Sequence, residues 1–203
     1  MWLVSTRGLP PTVVTENRQR GTRGWRLPGL RADVGGLAYG SVSGYVSAQA
    51  VLPGQIERIY VHAAGSRRVR IQIFRIGWYH GVGGREVLAS PWVRVVAQPP
   101  CAHVYATGLT QCDWRPTLTF RVPTALASGV YIAKLLTSDG ASDCLFVVEA
   151  SRPQPLVAQL PTATYQAYNA WGGDSLYPGG SDRVGVTGSM QGSRSPTIGR
   201  TTA

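Results

Sequence analysis

Side chains that could bind or orient a ligand concentrate in the stretch TYQAYNAWGGDSLY, which spans residues 164–177. Within fourteen positions it holds three tyrosines, a tryptophan, an asparagine and a Gly-Gly pair, and it begins three residues after the apolar run PLVAQLP, residues 155–161. Phenol and amide groups both donate and accept hydrogen bonds, so the stretch could form a working site. The other interpretation is that Tyr165, Tyr168 and Trp171 pack against a neighbouring core or lie half exposed.

Other catalytic arrangements have little support. The Gly-Asp-Ser triplet of the aromatic stretch lacks the spacing of a G-x-S-x-G nucleophile elbow, and no phosphate-binding P-loop or dinucleotide fingerprint follows a predicted strand. His80 lies in GWYHGVGG beside Trp78 and Tyr79, where it could join an aromatic binding patch or simply sit exposed at a hairpin end. Asp113 precedes Trp114 and is more typical of a loop aspartate next to a core tryptophan.

The chain has three cysteines. Cys101 and Cys112 bracket CAHVYATGLTQC, a segment rich in turn formers, and we predict a disulfide between them that adds about 2–3 kcal/mol. The alternative is a pair of free loop thiols in a reducing compartment. Cys144 lies in the apolar run CLFVVEA and is predicted to be an inert core thiol. No CxxC spacing occurs, so a zinc site is not expected.

The formal net charge is +10, which invites a nucleic-acid hypothesis. Of the 20 basic side chains, Lys134 is the single lysine and the arginines are scattered. The densest group, SRRVRIQIFR, alternates Arg68, Arg70 and Arg75 with apolar residues, which predicts the solvated face of a strand. No aromatic-interleaved binding motif accompanies these arginines, so a nucleic-acid partner is not expected.

Neither a membrane span nor an export signal is expected. The hydrophobic content of 43% suffices for a core, but no run reaches the ~18–20 apolar residues of a spanning helix. The start, MWLVSTRGLPPT, lacks the apolar region of a signal peptide. The sequence as written therefore predicts a cytoplasmic location, whereas the predicted disulfide favours an exported protein that starts upstream of Met1.

The pattern over residues 36–150 predicts an antiparallel β-sandwich. Short alternating strands recur at roughly 8–12-residue spacing between turns of Gly, Pro and Ser, and no long helical period appears. Residues 1–35, rich in Gly, Pro and Arg, are predicted to form an extended N-terminal arm. The predicted strands lie within GSVSGYVSAQAVL, IERIYVHA, VRIQIFRIGWY, REVL, PWVRVVA, TLTFRVP, GVYIAKLLT and CLFVVEA.

The sequence pattern changes at SRPQP, residues 151–155, where two closely spaced prolines are typical of a linker. The following LVAQLP is a continuous apolar run, which is typical of a parallel strand covered on both faces. We therefore expect residues 151–181 to open a second domain. Residues 182–203 are low in apolar content and are expected to be a disordered tail. One strand and a loop cannot bury enough area to fold alone, so we expect the rest of that domain to be missing.

Five phrases resemble a known family in their order and spacing: ENRQRGTRGWRL, YVSAQAVLPGQ, FRIGWYHGVGGREV, SGVYIAKL and LPTATYQAYNAWGGDSLY. They are similar to the large (beta) subunit-like proteins of the N,N-dimethylformamidase family, in the C-terminal region of those proteins. The resemblance runs from about Glu16 to about Tyr177. No counterpart of the family is apparent from Asp182 onward.

The resemblance implies an immunoglobulin-like sandwich followed by an α/β domain similar to class I glutamine-amidotransferase or ThuA-like folds. It also implies hydrolysis of a small amide at a mononuclear iron held by two tyrosines and a glutamate. One of those tyrosines lies in a Thr-Tyr-x-x-Tyr-x-Asn setting, which here is Thr164, Tyr165, Tyr168 and Asn169. Either Tyr165 or Tyr168 could be the ligand. Phenolate and carboxylate oxygens are hard ligands that suit a ferric ion, and iron-bound water is acidic enough to attack a carbonyl.

The remaining tyrosine and the glutamate of the family are expected further downstream than this sequence reaches. The leading hypothesis is therefore a truncated member of an iron-dependent amide hydrolase family that binds no iron and is inactive by itself. A second hypothesis is a β-sandwich interaction module that binds a partner subunit, another copy of itself or a glycan. A third is a gene product without a function of its own.

Overall fold

A computed structural model of the chain describes residues 12–27, 42–63, 65, 67–104 and 109–167. The described residues form a mainly β protein in which two predominantly antiparallel sheets pack face to face, as the sequence predicted. The strands are β1 (Val42–Val46), β2 (Ala50–Val51), β3 (Ile56–Ala63), β4 (Arg67–Ile76), β5 (Gly84–Ala89), β6 (Val93–Val95), β7 (Ala102–Val104), β8 (Leu109–Gln111), β9 (Pro116–Arg121), β10 (Gly129–Leu136) and β11 (Ala141–Val148). The helices are α1 (Val13–Asn17) and α2 (Thr162–Ala167), with a 3-10 turn at Tyr79–Gly81.

The small sheet has the order β1-β3-β9, and the large sheet has the order β2-β11-β10-β4-β5. β6 pairs with the start of β4, and β7 and β8 form a separate hairpin. The run predicted as one strand from residue 40 to 52 is split into β1 and β2, because the chain leaves the small sheet at residues 47–49 and joins the large one. There β2 runs parallel to β11.

The core lies between the two sheets and follows the period of two along each strand. On β3 the fully buried apolar residues are Ile59, Val61 and Ala63. Every second side chain of the strand points to the same face, so residue 57 faces the core together with Ile59. Glu57 is therefore buried and Ile56 is exposed.

Glu57 is tolerated in the core because the backbone satisfies one of its oxygens. Its Oε1 accepts hydrogen bonds from the N–H groups of Ser47, Ala48 and Arg58, so it clamps the segment where the chain changes sheets. Burial raises the pKa of the Glu57 carboxyl, although these hydrogen bonds oppose the shift.

The prediction of a solvated arginine face on β4 holds for Arg68, which is exposed, and was wrong for Arg75, which is buried. The β4–β5 register shifts between Ile73 and Phe74. Such a bulge breaks the strict alternation of faces, so consecutive residues from Ile73 to Arg75 are all buried.

Part of the predicted extended N-terminal arm instead packs against the sandwich. Residues 12–27 contain α1, whose first turn is capped by the Thr12 side chain, and a bridge between Thr22 and Gly84. Trp25 lies so close to Gly84 that a Cβ there would come within 2.7 Å of the indole ring. Residues 1–11 and 28–35 of the predicted arm lie outside the described residues.

The described chain after β11 contains no strand, so LVAQLP does not form the expected strand within the described residues. Leu156 and Val157 are 88% and 93% exposed. A parallel strand is stable only beside neighbouring strands, and no described strand lies next to this segment. Helix α2 follows it, and residues 168–203 lie outside the described residues. Among the described helices, none is long and apolar enough to span a membrane.

Candidate functional site

Tyr165, the first of the two candidate iron ligands, lies in the middle of α2 and is half-buried. The helix begins after Pro161, whose carbonyl oxygen accepts a hydrogen bond from the Tyr165 N–H at 3.0 Å. The sequence predicted a loop at this point, and the structure has one and a half turns of helix instead. Tyr168, Asn169 and Trp171 lie outside the described residues.

The donor chemistry of Tyr165 fits a ferric ion, since a phenolate oxygen is a hard ligand. A mononuclear site needs further donors around the same point. Within the described ranges, no group of three or more His, Cys, Asp or Glu side chains is close enough to hold a metal. Of the two candidate tyrosines, the described residues include Tyr165.

A buried polar cluster surrounds Tyr79, at the end of the large sheet. The Tyr79 hydroxyl donates to Glu16 Oε1 at 2.6 Å and accepts from Arg75 Nη1 at 3.1 Å. Arg85 donates to the same Glu16 oxygen through Nε, at 2.7 Å, and Nη2, at 2.6 Å. Burial, together with the hydrogen bond to Glu16, raises the pKa of Tyr79, so the phenol stays neutral. This cluster ties α1 to the sandwich.

Of the two alternatives for His80, the structure shows an exposed side chain. Tyr79 points into the buried cluster, whereas Trp78 is 70% exposed. His80 has a left-handed backbone with φ of 57°, and its ring Nε2 lies 3.4 Å from the Arg18 carbonyl oxygen. The structure therefore separates the buried Tyr79 side chain from the exposed side chains of Trp78 and His80.

Lys134 and Asp143 are directly opposite each other on β10 and β11, and both are buried. Lys134 Nζ donates to the carbonyl oxygens of Gly24 and Arg26, at 2.8 and 2.7 Å, and thereby holds the N-terminal segment over the large sheet. Burial lowers the pKa of Lys134. Burial also raises the pKa of Asp143 well above its usual value, with Lys134 opposing that shift. The single lysine of the chain thus has a structural role.

A groove of about 880 Å³ crosses the outer face of the small sheet. Its floor is formed by β1 and β3, one wall by the segment that changes sheets and the other by the segment after β8. The lining residues are Tyr45, Ser47, Ala48, Ala50, Val51, Gln55, Ile56, Arg58, Tyr60, Gln111, Cys112, Asp113, Trp114 and Arg121.

The floor of the groove is aromatic. The Tyr45 and Tyr60 rings stack at 4.5 Å with an angle of 12° between their planes, and Trp114 packs on the Tyr45 ring at 5.3 Å. Tyr45 and Trp114 are buried, so Tyr60 presents the accessible ring. Burial raises the pKa of Tyr45, and its neutral hydroxyl donates to the Cys112 carbonyl oxygen at 3.2 Å.

The predicted disulfide between Cys101 and Cys112 is present, and Cys144 is a fully buried free thiol as predicted. Burial raises the pKa of Cys144, which keeps the thiol unreactive. The disulfide closes the β7–β8 hairpin. Because Cys112 also lines the groove, the covalent link fixes the base of one groove wall.

The groove was not predicted from the sequence. Arg58 and Tyr60 alternate with the inward residues of β3, so a strict period of two would have placed both on one outer face. The pairing of Tyr60 with Tyr45 depends on the β1–β3 register, and the contact with Trp114 spans 69 residues of chain. These contacts are non-local and leave no pattern within a short window of sequence.

Comparison with known proteins gives one family. A family model described as "N,N-dimethylformamidase beta subunit-like, C-terminal" matches residues 70–198. The matched range begins later than Glu16 and continues beyond Tyr177, into residues for which the sequence had suggested no family counterpart. No curated protein matches the chain significantly.

Two solved structures align weakly. An uncharacterised protein from Bacillus anthracis strain Ames aligns with a TM-score of 0.34 at 7% identity, over 53% of this chain and 85% of that one. The N-terminal four immunoglobulin domains of Dscam1 isoform 4.44 align with a TM-score of 0.27 at 7% identity, over 54% of this chain and 20% of that one.

Proposed function

Because the chain belongs to the N,N-dimethylformamidase beta subunit-like family, matched over residues 70–198, we propose that it is part of a hydrolase acting on small amides. The match is the observation that carries this proposal, since it includes the tyrosine-bearing stretch after the sandwich. In this hypothesis the sandwich supports the catalytic domain, and residues from 151 onward open that α/β domain.

The exposure of the segment before α2 supports an α/β domain in this position. Leu156 and Val157 are almost fully exposed, although isolated apolar side chains of this size gain roughly 1.5–3 kcal/mol each when buried. A parallel strand covered on both faces would bury them. We propose that residues 156–160 pair with strands supplied from outside the described residues.

The proposed metal ligand is Tyr165 or Tyr168, with the remaining ligands also supplied from outside the described residues. When bound, the iron would lower the pKa of a water molecule and thereby provide a nucleophile for the amide carbonyl. The contribution of this chain is to hold one phenolate oxygen at the start of the catalytic domain. Because one phenolate oxygen does not hold iron by itself, we propose that the chain holds no stoichiometric iron and is inactive without those further ligands.

The experiment is to purify the 203-residue chain, supply ferrous and ferric iron, and measure bound iron, tyrosinate-to-iron absorbance and hydrolysis of formamide and N,N-dimethylformamide. We expect neither stoichiometric iron nor hydrolysis. Iron with tyrosinate absorbance that disappears in Tyr165→Phe or Tyr168→Phe would instead show that the chain holds a complete site, contrary to the proposed need for further ligands.

A further inference from the structure

The groove on the small sheet is separate from the tyrosine-bearing segment, and the proposed amide hydrolase function does not use it. We propose that this groove binds a short acidic oligosaccharide, a chain of sugar rings that carry carboxylate or sulfate groups. The inference goes beyond the proposed hydrolysis and does not depend on it.

The shape of the groove suits several linked rings. Its volume of about 880 Å³ lies within the roughly 300–1,000 Å³ of ligand-binding clefts, and it is open along the sheet rather than enclosed. Tyr60 offers a flat ring that is backed by its stack on Tyr45. The C–H face of a sugar ring packs favourably on such a ring because the π face is partially negative.

Two arginines supply the charge. Arg58 is exposed, and no described residue forms an ion pair or side-chain hydrogen bond with its guanidinium group. Arg121, diagonal to Arg58 across the β3–β9 pair, donates one N–H to the Gly54 carbonyl oxygen and keeps its others for a ligand. A guanidinium group binds a carboxylate or sulfate through paired hydrogen bonds. Acidic groups on a sugar chain therefore complement this end of the groove.

The construction of the groove is less suited to other polymers. The floor includes β3, whose backbone already pairs with β1 and β9, so a peptide that lies across the middle of the floor cannot add to β3 as a further strand. Nucleic acid would require a basic track with several open aromatic platforms. Here Tyr60 is the accessible ring, and Asp113 on the wall opposes further negative charge.

The walls are held in place before a ligand arrives. The Tyr45 hydroxyl donates to the Cys112 carbonyl oxygen and accepts from the backbone N–H of Trp114, both at 3.2 Å. The Cys101–Cys112 disulfide fixes the same segment. A preformed site loses less conformational entropy on binding. The aromatic contacts and the disulfide therefore favour recognition of a ligand by the groove.

The test is to titrate the 203-residue chain with hexagalacturonate and with a chondroitin sulfate hexasaccharide by calorimetry. Neutral cellohexaose, a polyglutamate peptide and oligo-dT are the comparison ligands. We expect binding of at least one acidic oligosaccharide, no binding of the neutral one, and an affinity that falls toward about 1 M salt, where the Debye length is only about 3 Å. Arg58→Gln should weaken binding about tenfold, the effect of losing one charge-assisted hydrogen bond.

Arg68→Gln is the matched control, because Arg68 is an exposed arginine on β4 in the other sheet, and it should change the affinity less than twofold. Tyr60→Ala should also weaken binding while the melting temperature of the chain changes little. The proposal is overturned if neither acidic oligosaccharide binds, if cellohexaose, polyglutamate or oligo-dT binds as tightly, or if Arg58→Gln and Arg68→Gln behave alike. None of these outcomes bears on iron or on amide hydrolysis.

Discussion

Glu16 links the N-terminal helix to the sandwich through a single oxygen atom. Its side chain is 2% exposed and accepts hydrogen bonds from Tyr79 and Arg85. Breaking a fully buried ion pair by removing one partner costs about 3–5 kcal/mol, because the remaining charge is left uncompensated. Arg85 is 28% exposed, so water compensates part of that cost here.

Glu16→Gln is therefore expected to lower the free energy of unfolding by about 2 kcal/mol, since the amide cannot balance the Arg85 charge. The measurement is urea unfolding followed by tryptophan fluorescence. Glu86→Gln is the control, because Glu86 is an exposed carboxylate on β5 next to Arg85 that pairs with Gln72. It should cost about 0.5 kcal/mol or less. Equal effects of the two substitutions would show that the buried cluster adds no specific stability.

The raised pKa of Asp143 predicts in which direction the stability of the folded chain changes with pH. Its pKa in the folded chain is raised above the usual 3.8, first by burial. The folded state then binds its proton more tightly than the unfolded state does. The stability that Asp143 contributes is full below about pH 4 and is lost as the pH rises through the folded value. Asp143→Asn should therefore match the parent chain near pH 3 and exceed it increasingly toward neutral pH.

Asp139→Asn provides the opposite control for the same pH series. The pKa of Asp139 is lowered by the hydrogen bond from Thr137 and by Arg67, so the ionised carboxylate stabilises the folded chain above about pH 4. Its substitution should reduce stability at neutral pH and leave stability at low pH unchanged. A gain of stability in Asp139→Asn, or none in Asp143→Asn at neutral pH, would contradict these assignments.

At the scale of elements, the β7–β8 hairpin depends on its disulfide. Cys101 and Cys112 are 11 residues apart, and closing a loop of this length stabilises a fold by about 2–3 kcal/mol. The double variant Cys101→Ser/Cys112→Ser should lose about that amount in urea unfolding. Reductant should lower the stability of the parent chain similarly and have no effect on the variant. A parent chain that is insensitive to reductant would contradict a stabilising disulfide.

The elements that were predictable from sequence are those whose signals are local. β10 and β11 follow from the short apolar segments GVYIAKLLT and CLFVVEA, and the disulfide follows from two cysteines around turn formers. Helix α1 was missed because its five residues are too few to show a period and are held by tertiary bonds from Glu16. Arg75 was predicted to be solvated and is buried, because an alternating sequence pattern does not reveal a bulge. The groove was not predicted because its aromatic contacts connect segments that are distant in the sequence.

In the molecule as a whole, a well-packed sandwich is followed by a segment, residues 151–167, that is mostly exposed in the described structure. The core residues of both sheets are almost fully buried, whereas the described chain beyond residue 150 is mostly exposed. This contrast explains why LVAQLP forms no strand among the described residues, although its sequence is typical of one. A parallel strand depends on its neighbours, and the described residues provide none for it.

The central claim is that Tyr165 or Tyr168 serves as an iron ligand in an amide hydrolase of this family. The most direct measurement joins residues 1–169 to the remaining catalytic sequence of a complete family member, and determines bound iron and hydrolysis of N,N-dimethylformamide. We predict stoichiometric iron and hydrolysis in the joined protein. Both should be lost in one of Tyr165→Phe and Tyr168→Phe and retained in the other, with equal melting temperatures. Retention of iron and activity in both variants would contradict the claim.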